Sequence, residues 1–456
     1  MKNSIRRISF LLILVLSIAQ TQAQLTVTAQ LRTRTEFRDG QGAPLQEGVD
    51  PAFFTSQRTR LGLGFQAYRL KMGLTVQDVR VWGQDVSTIN RTTTQDNNGF
   101  MVHEAWAEVL LTDTNSRKGE LALKIGRQEL HYDDQRLIGN LDWLQQARRH
   151  DALLLKYHHG NWWIHTGFAY NQNKETSNGT GYILTPAGGY PGNTNGGSMY
   201  KSFQYMHANK VYAGGRLSVL FFSDQFSKYR TEINNGSSVK VWEKGVWTRM
   251  TTGFYAEKKA GNANLTAEGY FQFGKNAKGQ DLSAWLLSME YFQQVRNQWK
   301  LGLRLDYTTG GSSEGRSNAF DPLYGTPHKF WGLMDYFYAG SGFGEKGLID
   351  YSIRSRHKVG EKGELLLDLH QFSSASSVMD VNGRGLSRNF GTELDLVGKY
   401  SLTRMIGMEL GYSHFLAGKS LTSEGVKNIP GAQRHNNWLY LMLNIRPEFI
   451  FEVKEK

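Results

Sequence analysis

From residue 299 to 308 the chain reads Trp-Lys-Leu-Gly-Leu-Arg-Leu-Asp-Tyr-Thr. Trp299, Leu301, Leu303, Leu305 and Tyr307 are apolar, while Lys300, Gly302, Arg304, Asp306 and Thr308 are polar, charged or tiny. Successive side chains of a β-strand point to opposite faces, so each chemistry receives its own face. An apolar face that begins and ends in aromatics, backed by a charged face, suits a strand with lipid outside and a watery lumen inside. A strand of a soluble sandwich alternates in the same way, so one segment decides nothing.

The pattern recurs along the whole chain. Leu25, Val27, Ala29 and Leu31 alternate with Thr26, Thr28, Gln30 and Arg32, and the polar row continues to Arg34 and Glu36. Leu61, Leu63 and Phe65 oppose Arg58, Arg60, Gly62 and Gly64, and Leu439, Leu441 and Leu443 oppose Tyr440 and Asn444. In the segment starting at Leu70 the parity breaks near Asp78, which predicts a bulge. Seventeen such segments are visible, with short connections (Tyr68-Arg69, Ser401 to Thr403) alternating with long ones (His131 to Ala147, Thr309 to Lys346). Short periplasmic turns and long external loops characterise bacterial outer-membrane barrels, whose strand number is even. A meander with seventeen strands would require two consecutive descending strands, so one is hidden. Phe203 to Ala208 is the best place for it, leaving Ser223 to Val246 as a further external loop. The expected fold is therefore all-β, a transmembrane antiparallel meander barrel of about eighteen strands with both termini in the periplasm.

The N-terminus supplies the route of export. Lys2, Arg6 and Arg7 precede an apolar run from Ile8 to Ala19, and Thr21-Gln22-Ala23 offers a small-residue cleavage site. This is the pattern of a secretory signal peptide over residues 1–23, with the barrel over 24–456. No later stretch approaches the roughly 18 apolar residues of a spanning helix. Removing the leader leaves 50 basic against 41 acidic residues, a net charge of +9. Fifty glycines against eight prolines fit a turn-rich sheet, since proline breaks the ladder. The chain has no cysteine, and 12% of its residues are aromatic, which suits interfacial girdles and also sugar binding. A secreted soluble β-sheet carbohydrate-binding protein is therefore the alternative.

Fifteen basic and eleven acidic residues fall on the inward face, and ten of the fifteen are arginine. A guanidinium matches a carboxylate through two points and is weakly hydrated, so rings of arginine suit a pore for anions. Arg32, Arg34, Arg58 and Arg60 lie on two neighbouring strands with little local acid and form the candidate selectivity element. Lys124, Arg304, Arg354, Arg356, Glu393 and Asp395 complete the inward candidates. Structural pairing competes with this role, because Arg354 and Arg356 sit beside a strand carrying Glu364 and Asp368.

Several motifs then point to a family. Gly126-Arg127-Gln128-Glu129-Leu130, followed by Asp134-Gln135-Arg136-Leu137-Ile138-Gly139 and Trp143, resembles the central motif of the alginate export family. Gly391-Thr392-Glu393-Leu394-Asp395-Leu396 with Gly411-Tyr412-Ser413-His414-Phe415 does the same, as do Arg58-Thr59-Arg60-Leu61 and Asp78-Val79-Arg80-Val81-Trp82-Gly83. The resemblance implies an eighteen-stranded outer-membrane barrel with an arginine-rich conduit for a polyuronate, and adds Arg127 and Arg136 to the pore-lining set. Its implied partners are the lipid bilayer, an anionic polysaccharide or small anion, and, for export, periplasmic machinery. One departure from the family is a missing lid. The periplasmic turn that covers the pore of the exporter is reduced here to Ser401 to Thr403.

Other signals carry less. His158, His159 and His165 lack a completing ligand set, so neither a metal nor any other cofactor is expected. Asp133-Asp134 reads as loop ordering, and Gly340-Ser341-Gly342-Phe343-Gly344 lacks the Lys-Ser/Thr of a phosphate loop. No Ser/His/Asp set stands in a defensible arrangement, so no enzyme is expected, and cations dispersed one strand at a time do not make a nucleic-acid patch. Thr309 to Lys346 is the longest predicted external loop and carries Phe330, Trp331, Tyr336, Phe337 and Tyr338. It is expected either to plug the pore or to remain an ordered surface loop at the rim.

Overall fold

Residues 22–83, 100–113, 118–172, 177, 200–339 and 345–454 are described by the structure, a computed structural model. Within them run β1 (Gln22–Asp39), β2 (Ala52–Ala67), β3 (Leu70–Val81), β4 (Met101–Leu110), β5 (Glu120–Gln128) and β6 (His150–His159). There follow β7 (Trp162–Tyr170), β8 (Ser202–Tyr212), β9 (Gly215–Asn234), β10 (Ser237–Ala260), β11 (Ala263–Lys275) and β12 (Asp281–Arg296). The last six are β13 (Trp299–Thr308), β14 (Leu348–Val359), β15 (Gly363–Ser373), β16 (Asn389–Ser401), β17 (Ile406–Ala417) and β18 (His435–Ile445), which resumes after Pro447 as Glu448–Lys454. Each strand pairs antiparallel with the next. β1 closes the ring, matching Leu31 with Ile445 and Gln22 with Lys454. The gap at Pro447, which has no backbone N–H, is bridged by Ala29, whose N–H donates to the Pro447 carbonyl at 3.0 Å.

A closed ladder satisfies every strand edge without an outer partner, which is what a bilayer demands. The outer face is correspondingly apolar: Leu301, Leu303 and Leu305 are exposed, while Arg304 and Asp306 on the opposite face are buried. Closure and the lipid-facing side chains remove the soluble carbohydrate-binding alternative. The hidden strand is β8, and the count is eighteen. It extends beyond Phe203 to Ala208, and its tight turn falls at Ala213-Gly214, later than the sequence suggested. The break in parity near Asp78 corresponds to a register shift between Thr75 and Val76 where β3 meets β4.

One connection differs from expectation, and a second takes the inward of its two expected courses. Ser223 to Val246 is not a loop, because β9 and β10 continue past the rim as a two-stranded ribbon. Asn235-Gly236 closes it with φ of 50° and 76°, the pair of left-handed residues that a tight hairpin needs. Thr309 to Lys346 does not stay at the surface. Phe330, Trp331, Tyr336 and Phe337 are among the most deeply buried large side chains of the protein. Residues 1–21 of the expected signal peptide, most of the 171–202 connection and the Gly340 to Gly344 run lie outside the described residues.

Candidate functional site

Between β5 and β6, residues 129–149 turn into the lumen instead of away from it. The reason is visible on β1 and β2. Arg32, Arg34 and Arg58 project inward from neighbouring strands and are nearly sealed. Buried guanidinium donors need acceptors, and the loop supplies them. Arg32 donates to the carbonyls of Asp142 (2.8 Å), Trp143 (3.3 Å) and Leu144 (3.0 Å), and to Gln145 Oε1 (3.0 Å). Arg34 reaches the Trp143 carbonyl at 2.9 Å and lies 4.3 Å from the centre of its ring. Arg58 binds Gln30 Oε1 at 2.8 Å and the Gln145 carbonyl at 3.4 Å. The Asp142 carboxylate meets Arg58 at 2.9 Å, Arg32 at 3.4 Å and Arg60 at 3.6 Å. Burial pushes its pKa up, but Arg58, Arg32 and Arg60 outweigh burial and hold it below the usual carboxylate value.

The connection from β13 to β14 folds inward for a different reason. It carries aromatics, and the facing wall offers Phe372 on β15, Phe390 on β16, Phe415 on β17 and Trp438 and Tyr440 on β18. Tyr336 packs 4.1 Å from Phe415 and Phe337 4.6 Å from Phe372, centre to centre. Polar anchors fix the tip. The Met334 N–H donates to Glu393 Oε1 at 2.7 Å, and the Leu333 N–H to Asp395 Oδ2 at 3.3 Å. Gly332 lies against the Glu393 carboxyl with φ of +79°, a place where a side chain has no room.

The two inward loops hold each other. Tyr324 donates its N–H to the Leu137 carbonyl at 2.9 Å and accepts from Gly139 at 2.9 Å, a short parallel bridge. The Trp143 and His328 rings stack at 4.1 Å. Arg136 passes through the assembly to the wall, where it is bound by Glu268 and by Asp306 at 3.1 Å and donates to Ser288 Oγ at 2.9 Å. Phe330 covers it at 4.0 Å. Burial disfavours its charge, yet Asp306 and Glu268 raise its pKa above the ordinary arginine value. An ion cluster of this kind fastens the loop, because removing one partner would leave a buried uncompensated charge.

The expected site residues sort as follows. Arg32, Arg34, Arg58 and Arg60 face inward together, as read, and all four are engaged by protein groups; Arg60 also donates to Gln77 Oε1 at 2.6 Å and faces His103 at 3.0 Å. Lys124 faces inward with its Nζ 3.8 Å above the Trp106 ring. Arg304, Arg354 and Arg356 form a wall ladder: Glu290 contacts Arg304 at 3.3 Å and Arg354, and Asp368 contacts Arg354 at 3.0 Å and Arg356. Glu393 and Asp395 are inward but serve as loop anchors, and Arg136 is sealed from the lumen. Arg127 is a correction. It shares the outward face of β5 with Ile125 and pairs with Asp151 on β6 at 2.8 Å, near the long-loop end. The period-two alternation fixes its side, and the motif that suggested a pore role does not.

Sequence reasoning missed Asp142, Gln145 and Glu290. Asp142 adjoins Trp143 of the family motif, a signal that was present, whereas nothing local marks Gln145 as an arginine acceptor.

A sequence model described as alginate export matches residues 23–339, more than half of the chain. Comparison with curated protein sequences gives no match. OccK1 (OpdK) of Pseudomonas aeruginosa superposes with a TM-score of 0.58 at 11% identity, covering 93% of this chain and 99% of that one. OccAB4 of Acinetobacter baumannii gives 0.59 at 11% identity, with 94% and 99% covered. OpdK of Pseudomonas aeruginosa in its structure with vanillate gives 0.57 at 11% identity, with 93% and 99% covered. At these identities the likeness is one of fold.

Proposed function

Because the chain belongs to the alginate export family and folds as an outer-membrane barrel, we propose that it is a channel for anionic, carboxylate-bearing solutes. A transport channel in the outer membrane follows from family and fold. The anionic preference is carried by one observation: Arg32, Arg58 and Arg60 converge on a carboxylate that is itself half open to the lumen. A cluster that accepts a carboxylate from the protein is suited by charge and fork geometry to one from a solute.

Two inward loops with a shared core favour solutes of one or a few sugar units over a threaded polymer. The OpdK structure with vanillate, a small carboxylate, points the same way. Polyuronate passage would require the loops to leave the lumen, and the short turn between Ser401 and Ile406 offers no periplasmic lid to share in closure. Reversal potentials across a planar bilayer under a potassium chloride gradient test the reading. Anion preference that weakens as salt rises is the expected result, and preference for cations would overturn it.

A further inference from the structure

Asp142 is placed unlike its neighbours in the arginine cluster. The side chains of Arg32 and Arg58 are 4% and 1% exposed, whereas that of Asp142 is 47% exposed. A solute anion that reaches the cluster therefore meets a negative carboxylate first, with the guanidinium groups behind it. The loop backbone does not depend on that carboxylate. Arg32 holds the carbonyls of Asp142, Trp143 and Leu144, Arg34 also holds that of Trp143, and Arg58 holds that of Gln145. The side chain can thus rotate about its own bonds while the loop remains docked.

We infer that Asp142 is a tethered competitor for solute carboxylates, occupying the three-arginine site with a carboxylate of the protein until a solute carboxylate replaces it. The inference rests on the anionic reading above and adds a residue that sets its specificity. A group held by a short tether competes at an effective concentration in the millimolar range. Weak or poorly shaped anions then fail to displace it, while a carboxylate, which matches the paired donors of a guanidinium, exchanges with it on nearly equal terms. Arg60 is the natural first contact for the incoming group. It is the most open of the three arginines, with 14% of its side chain exposed, and among the described residues Glu129 at 3.7 Å shares its Nη1 with Asp142. Release of Asp142 takes one shared carboxylate from the three guanidinium groups and leaves Gln30, Gln77, Glu129, Gln145 and the loop carbonyls in place, so the site survives each exchange.

The test is block of chloride current by glucuronate in planar bilayers, comparing the native protein with Asp142→Asn and Asp142→Ser. Heat-modifiable migration on gels confirms that each variant is a closed barrel. Removing the competitor should lower the half-blocking glucuronate concentration about tenfold or more and raise chloride conductance, with the same sign in both variants. A half-blocking concentration unchanged or increased in both folded variants would make Asp142 a structural clamp and overturn the inference alone. A native pore that prefers cations and ignores glucuronate would overturn this inference together with the anionic reading.

Discussion

Gly332 gives the most direct handle on the inward loop. It sits at φ +79°, and a Cβ there would lie 2.3 Å from Glu393 Oε2 and 2.7 Å from Oε1. Gly332→Ala therefore meets two penalties. Left-handed backbone costs an ordinary residue roughly 1–2 kcal/mol. Moving the carboxyl aside breaks its 2.7 Å hydrogen bond from the Met334 N–H, and an unpaired buried group costs about 1–3 kcal/mol. Together about 2–5 kcal/mol weighs against the docked tip, a roughly 30-fold to few-thousand-fold rise in its undocked population at about 1.4 kcal/mol per tenfold. Gly315 in the same connection, with φ of +73° and nothing within 4 Å of its would-be Cβ, carries only the first penalty and is the control. Single-channel recording reads the difference as brief excursions to higher conductance, frequent in Gly332→Ala and rare in Gly315→Ala. If Gly332→Ala forms a heat-modifiable barrel with the native pattern of openings, the tip does not gate the pore.

Other outcomes follow from the same geometry. Phe337→Ala and Trp331→Ala each remove a ring packed in the inner core and should loosen the loop by about 3–5 kcal/mol, seen as protease cleavage within residues 309–347 of a folded barrel. Arg58→Ser with Arg60→Ser should reduce anion preference, and an unshifted reversal potential would remove the cluster from selectivity. The Asp142 pKa is depressed in the folded state, so its carboxylate keeps its hold on the three arginines above about pH 4 and loses it as pH falls through the lower folded value. Chloride conductance should accordingly rise only in strong acid, and Asp142→Asn should abolish that portion of the change. Arg127→Ser should leave ion selectivity untouched, since the residue faces outward.

The sequence alone determined the wall. Period-two alternation is a local property of each strand, so lipid-facing leucines and inward arginines were legible residue by residue, and the even-number rule exposed β8. It also marked Trp331 and Phe337 as apolar residues in a region that should have been polar. What it could not determine is where those aromatics go, because their partners lie far along the chain: Met334 is held by Glu393 and Tyr336 packs on Phe415. The same holds for the arginine cluster. Alternation put Arg32 and Arg58 in the lumen, but only closure of the barrel brings the Asp142 to Gln145 carbonyls within reach of both strands, turning an apparently open cationic lining into a site already filled by the protein. Local periodicity dictates which way a side chain points, and tertiary structure decides what it meets there.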